Sequence, residues 1–247
     1  MSSTTTINPP PFVERFQYKN CVQVNDPVTR KRVYRTPDGE SLPSVTTILS
    51  STKSEESKLA LENWKKRVGY DKAQQITTEA AGVGTAMHGN LERFLAGLQR
   101  QPGNNPVHVQ ANKMADVIIE KGLADVNEVW AMEQSLYFPG LYSGTTDLVA
   151  VYKGNPSVCD YKQTNKPKKA EWVDDYYMQL MAYILAHNEV YGTDIRKGVI
   201  FMCSRDFQYQ QFTLEPKDFN KWQDAWLNKV EEYYTTGLQG YKQLLTQ

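Results

Sequence analysis

Cysteine is scarce in this sequence. Cys21, Cys159 and Cys203 are scattered through 247 residues without a C-x-x-C pair. That spacing makes neither an even disulfide framework nor a four-thiolate set, so it excludes an iron–sulfur cluster and suits a reducing compartment. Long apolar runs are missing too: no stretch approaches the roughly 20 residues that span a bilayer, so no membrane partner is expected. Nor is there an excess of positive charge, since 28 basic residues balance 28 acidic ones. Proteins that coat long duplexes are usually basic, because phosphate neutralisation drives such binding. Neutrality therefore argues against a broad footprint while allowing a narrow channel with local lysines. The first residues lack the charged-then-apolar order of a secretory signal and the Arg-rich, acid-poor character of a mitochondrial leader. The expectation is a cytoplasmic protein of a bacterium or a phage-infected cell, with a mitochondrial setting less favoured.

What is present is ordinary globular usage, 40% apolar and 23% charged, at the upper size for one domain. Aromatics make up 11%, which fits a base-stacking surface or simply half-buried positions. The Ser/Thr- and Pro-bearing start predicts a disordered tail over 1–20. Val22–Asn25 and Arg32–Arg35, flanking Asp26-Pro27-Val28-Thr29, predict a hairpin, and Pro37-Asp38-Gly39 a turn. Helices are expected from Ser44, over 55–68, from about Thr85 to Leu98, and over 106–121. Three strands follow, Glu128–Phe138, Gly144–Tyr152 and Ser157–Gln163. A helix over about Glu171–Val190, strands Lys197–Cys203 and Tyr209–Leu214, and a helix from Pro216 complete the chain. This order predicts an α+β (α/β) fold: a central mixed β-sheet flanked by helices, with residues 126–247 as the core and 21–125 as a hairpin and helical N-terminal part.

The chemistry concentrates on one hairpin. In Gly144-Thr145-Thr146-Asp147-Leu148-Val149, Asp147 shares a parity with Val149 and Val151; on the next strand Val158, Asp160 and Lys162 share one. A turn symmetric about 152–155 sets Asp147 opposite Asp160 and Thr145 opposite Lys162, about 5 Å apart at Cβ. Facing carboxylates on an apolar surface repel unless one is protonated or a cation lies between them. Hard divalent ions take oxygen ligands, and a lysine one pleat away can neutralise charge developing on a phosphate. The bland alternative is a solvated hairpin, and a one-residue slip would put the aspartates on opposite faces.

G-T-T-D followed thirteen positions later by D-Y-K resembles the core of the PD-(D/E)XK nuclease superfamily. More narrowly it is similar to the RecB-like branch, which includes exonucleases of mitochondrial genome maintenance and of phages. The resemblance spans about residues 43 to 190 and implies a restriction-endonuclease-like core. It implies Asp147, Asp160 and Lys162 as catalytic residues, and a Mg²⁺ or Mn²⁺ ion held by His88, Asp147, Asp160 and the backbone carbonyl of Tyr161. His88 follows Gly84-Thr85-Ala86-Met87 and lies four residues before Glu92, on one helical face bordered by Leu91 and Leu95, so both polar groups are expected half-buried. Gln179 and Tyr183, four apart on the helix after the catalytic strand, match a further family feature and are expected to face the scissile phosphate or the lysine. Glu92 and Glu133 are expected to support the metal ligands from behind or, for Glu133, to serve a second ion; a plain surface charge explains Glu133 equally well. Pro43-Ser44-Val45-Thr46 resembles the opening of the helical part. Two positions depart from the pattern: Val83, beside the glycine, and Gln163, where Thr or Ser is common and Thr164 comes one place late.

Thr164, Lys166, Lys168, Lys169, Trp172 and Tyr176 interleave basic, polar and aromatic groups just after the catalytic strand. That suits a nucleic acid strand held by phosphates and stacked by bases, although a solvated loop explains the same residues. The expected function is a metal-dependent DNA exonuclease acting on single-stranded ends as a monomer, with the N-terminal part covering the site. The rivals are a structure-specific or restriction-like endonuclease and a catalytically idle nucleic-acid-binding module.

Overall fold

Short runs of β-branched and aromatic residues near the N-terminus pair into a small antiparallel sheet, β1 (Val22–Asn25), β2 (Arg32–Arg35) and β3 (Ser41–Pro43). The computed structural model describes residues 7–26 and 32–244. The hairpin is as expected, but its turn at Pro27-Val28-Thr29 lies outside the described residues. The third strand was not anticipated: three residues ending in proline carry too little pattern. Four helices follow: α1 (Val45–Ser51), α2 (Glu55–Val68), α3 (Tyr70–Leu95) and α4 (Pro106–Lys121). Their starts are written in side chains. Ser44, Ser54 and Asn105 each accept a hydrogen bond from the backbone N–H three residues on, the N-cap device. Helix α2 also carries Glu55 and Glu56 in its first turn and Lys65, Lys66 and Arg67 in its last, both signs matching the helix dipole. Helix α3 runs fifteen residues further back than the expected start at Thr85. Gly82 and Gly84 have poor helix propensity, yet Val83 and Met87 are buried against the sheet and override it.

The large sheet has order β4-β5-β6-β7-β8: β4 (Val126–Phe138), β5 (Tyr142–Tyr152), β6 (Asn155–Thr164), β7 (Lys197–Ser204) and β8 (Tyr209–Leu214). All pairs are antiparallel except β6 with β7. A parallel neighbour needs a crossover, and α5 (Asp174–Tyr191) supplies it, ending at Gly192 in the left-handed conformation. Helix α6 (Phe219–Leu244) closes the chain. The fold is therefore mixed α/β with one mixed sheet covered on both faces, as the element order predicted. One face packs against α1, α5 and α6 through Val149, Val158, Met181, Ile184 and Trp226; the other packs against α3 and α4 through Leu148, Tyr161, Met87, Leu91 and Met114.

Residues 7–20, expected as part of a disordered tail, instead form a strap along the edge strand β4. Val13 N–H donates to Val129 O at 2.8 Å and Val129 N–H to Pro11 O at 2.9 Å. Phe16 and Tyr18 then pack among Trp130, His187 and Tyr191, and Tyr18 Oη lies 3.0 Å from His187 Nε2. Composition suggested a tail, but two aromatics spaced to reach one hydrophobic patch outweigh it. No helix among the described residues is long and apolar enough to cross a membrane.

Candidate active site

The hairpin of β5 and β6 has the register expected of it, from Tyr152 opposite Asn155 to Leu148 opposite Cys159. The ladder stops there. One position on, where Asp147 and Asp160 would pair, the strands separate, and Asp147 Oδ2 accepts the N–H of Tyr161 at 2.6 Å. The two aspartates thus flank an opening in the sheet rather than a ladder pair. His88 reaches Asp147 from α3, with Nδ1 3.3 Å from Oδ1. Asp160 sits deeper, 3% exposed, with Lys162 Nζ 2.5 Å from its Oδ2. Apart from that contact the oxygen has no hydrogen-bond partner.

On the other side of Asp147 lies Glu133. Met132 pairs with Leu148 and Gln134 with Thr146, so Glu133 stands directly opposite Asp147. Its φ is 45°, in the left-handed region that non-glycine residues seldom occupy. Strained residues of this kind concentrate at functional sites. The turn brings a carboxylate oxygen of Glu133, one of Asp147 and a ring nitrogen of His88 within 4.8 Å of one another.

The electrostatics follow from burial and proximity. Burial works against ionisation of Asp147, but His88, Lys162 and the Tyr161 amide overcome it and hold its carboxyl below the usual range. Asp160 is raised, chiefly by burial, with Lys162 opposing and Asp147 adding to the rise. Glu133 is pushed up to about 7 by burial and then by Asp147. Burial lowers His88, yet the neighbouring Asp147 and Asp160 raise it overall. Lys162 is likewise raised, because Asp160 and Asp147 outweigh its burial. Three carboxylates crowded around one imidazole and one ammonium are short of positive charge. This donor set, oxygen-rich with one imidazole, fits a hard divalent cation.

The remaining predicted residues divide. Gln179 and Tyr183 share one face of α5, Gln179 Nε2 lying 3.4 Å from Tyr183 Oη, and both line a cavity of about 300 Å³ with Glu133, Thr145 and Tyr34. Lys162 and Lys168 both lie over the ring of Tyr176, at 5.2 and 5.5 Å from its centroid, and Lys169 over the exposed Trp172 at 5.4 Å. Thr164 turns to its own loop, its hydroxyl donating to Lys166 O. Glu92 is a correction: it is exposed at the rim of the cavity it shares with His88 and Glu133, because α3 presents that turn outward. Lys166 is exposed in the loop after β6. Gln163, the departure from the family pattern, faces α3 and donates to Ala80 O.

Two residues were missed. Tyr34 reaches from β2 to place its hydroxyl 3.3 Å from Thr145 Oγ1; no local pattern marks a lone tyrosine on a hairpin for such a place. Gly144 carries the other. A Cβ there would lie 2.9 Å from Cε1 of Tyr183, so the first residue of G-T-T-D makes room for the tyrosine of Q-x-x-x-Y. The two motifs touch, which their shared family context could have suggested.

No family model matches the chain. Curated proteins do. Over 203 residues it is 30% identical to mitochondrial genome maintenance exonuclease 1 of Mus musculus, covering 78% of this chain and 59% of that protein. The Homo sapiens protein of the same name is 28% identical over 202 residues, covering 78% and 58%. The chain spans less than two thirds of the length of these exonuclease relatives. Their names place them in mitochondria and assign no compartment to this chain. The similarity is consistent with a PD-(D/E)XK-like nuclease, and nothing in it selects the RecB-like branch. Among solved structures, a protein of Eubacterium rectale designated an exonuclease aligns at a TM-score of 0.49 and 13% identity, covering 65% of this chain and 66% of that one.

Proposed function

We propose that this chain is a divalent-metal-dependent exonuclease that hydrolyses phosphodiester bonds at single-stranded DNA ends. The observation that carries it is the convergence of His88, Glu133 and Asp147 within 4.8 Å beside the buried Asp160–Lys162 pair. DNA as the substrate and cutting from an end rest on the homology to genome maintenance exonucleases.

Mg²⁺ or Mn²⁺ would be held by His88, Asp147, Asp160 and the Tyr161 carbonyl, with Glu133 on the far side of Asp147. Such an ion, when bound, supplies Lewis acidity and a more acidic water. The chain's own groups do the rest. Lys162 gives up its contact with Asp160 to donate to the phosphate oxygen on which charge develops. Tyr183, with Gln179 beside it, orients the phosphate from the α5 side. Thr164, Lys166, Lys168, Lys169, Trp172 and Tyr176 hold the strand by phosphate contacts and stacking. Residues 126–247 form the nuclease core, and 21–125 build the wall and cover of the groove. A monomer suits this reading, because a strand end entering a single groove requires no second copy.

Cleavage of a linear single-stranded DNA against its closed circle, each with Mg²⁺ and with EDTA, tests the reading. Magnesium-dependent loss of the linear form alone is expected. Equal cutting of the circle would make the protein an endonuclease on the same site, and no cleavage of any DNA would remove the enzymatic reading.

A further inference from the structure

Lys168 has no carboxylate within ion-pair distance among the described residues, yet its ammonium is held over the same ring as that of Lys162. Two cations gathered on one tyrosine repel each other, and a lysine side chain is costly to order. Something fixes the loop that carries Lys168. Gln210, on β8, grips the Lys168 peptide from both ends: Lys168 N–H donates to Gln210 Oε1 at 2.7 Å, and Gln210 Nε2 donates to Lys168 O at 2.8 Å. The register explains why Gln210 is placed to do so. Lys162 on β6 is opposite Met202 on β7, and Met202 is opposite Gln210 on β8, so the three side chains stand in one row on one face of the sheet.

We infer that Gln210 is a positioning residue: by clamping the Lys168 peptide in line with Lys162, it holds a second ammonium over the ring that also carries the Lys162 ammonium, so that the backbone of a single-stranded substrate is gripped by its phosphates around Tyr176. This rests on the exonuclease reading above and adds to it a residue two strands away from the aspartates. An unpaired ammonium ordered this way is suited to an anion that arrives with the substrate, as phosphates do. Because the amide bonds to backbone atoms, any residue at 168 would be held; it is lysine at that place that makes the clamp useful.

The test is steady-state cleavage of a linear oligothymidylate with Mg²⁺ at several KCl concentrations. Compared are the wild type, Gln210→Ala, Gln210→Glu, Lys168→Ala and the double variant Gln210→Ala with Lys168→Ala. Gln210→Ala is expected to raise KM about five- to tenfold while kcat stays within about twofold. The log–log salt slope should fall by about 0.7, the share of one single-strand phosphate contact. Gln210→Glu keeps the acceptor for Lys168 N–H but sets a carboxylate against Lys168 O and beside the ammonium, so it should also raise KM; it serves as the second variant should Gln210→Ala fold poorly. Lys168→Ala should lower the slope equally, and the double variant should be no worse than either single one. A fall in kcat with KM unchanged, or additive effects, would overturn the clamp. If Gln210→Ala and Lys168→Ala both leave KM and slope untouched while the wild type still digests the strand, the clamp fails and the exonuclease reading stands. A wild type that digests no single strand removes both.

Discussion

Replacing Gly144 by alanine tests whether the two motifs of the proposed active site depend on each other through packing. The added Cβ would meet Cε1 of Tyr183 at 2.9 Å, its hydroxyl at 3.0 Å and Cζ at 3.4 Å. Carbon atoms prefer roughly 3.5–4.0 Å, so the ring must retreat by about half an ångström. Tyr183 is 2% exposed and cannot swing into solvent. Overpacking of this kind costs about 1–3 kcal/mol, and the smaller conformational freedom of alanine in the unfolded chain returns about 0.4–1 kcal/mol. A net loss of about 1–2 kcal/mol corresponds to a melting temperature lowered by about 2–8 °C at this size. The displaced hydroxyl also carries Gln179 away from the groove, and a small misplacement near reacting groups can reduce turnover by about 10- to 100-fold. Thermal unfolding followed by circular dichroism and cleavage of linear single-stranded DNA measure the two effects. Tyr183→Leu opens the space, so Gly144→Ala in that background should cost about 1 kcal/mol less than in the wild type. A melting temperature within about 1 °C of wild type, together with full cleavage, would refute the steric argument; so would strict additivity of the pair.

Asp160→Ala and Lys162→Ala are each expected to fold and to lose at least about 100-fold in cleavage, the scale of removing one transition-state contact; wild-type rates in either would overturn the site. For Glu133 the sign is that of a raised carboxyl. The folded protein holds the proton up to about pH 7, whereas the unfolded chain loses it near 4.3, so stability falls as pH rises between those values. Glu133→Gln should therefore melt higher than wild type at pH 8 in EDTA and no higher at pH 4. The carboxyl is shielded on its Asp147 side while the residue as a whole stays open to solvent, so the gain is discounted to about 1 kcal/mol. His187 behaves differently. Burial lowers its folded pKa to about 4, and the unfolded ring takes a proton below about 6.5. Its contribution is present above that value and is lost as pH falls toward 4, by up to about 3 kcal/mol. His187→Gln should melt lower than wild type at pH 8 and flatten the pH dependence between 6.5 and 4; an unchanged dependence would place the acid sensitivity elsewhere.

Much of this architecture was legible because local and tertiary signals agree. The amphipathic spacing announces the helices over 55–68 and 106–121, and the register of the β5–β6 hairpin follows from a turn symmetric about 152–155 and the parity of Val149 and Val158. The reading failed where tertiary packing overrides the local signal. Gly82 and Gly84 conceal the first half of α3, although a Cβ at Gly84 would meet Gln163 Cγ at an ordinary 3.6 Å. The strap at 7–20 is proline-bearing and has no helix or strand periodicity, so only the packing of Phe16 and Tyr18 reveals its place. Within the site, the spacing of Asp147, Asp160 and Lys162 placed them on one hairpin, but spacing alone could not show that the ladder opens between the aspartates. It also could not show that Glu133 is turned toward His88 by a left-handed backbone, or that Glu92 stays at the rim.

The strap has a consequence for the protein's behaviour in concentrated solution. Strand β4 is thirteen residues long and lies at the edge of the large sheet. Uncovered edges of that length recruit strands from other molecules. Pro11 and Val13 occupy the bonding positions around Val129, and Asn20 accepts the side-chain amide of Gln134 further along. A chain trimmed of its first twenty residues would keep every group of the proposed active site and lose this cover, so its characteristic failure would be self-association through β4, with Trp130 and Tyr191 newly bare beside the open edge.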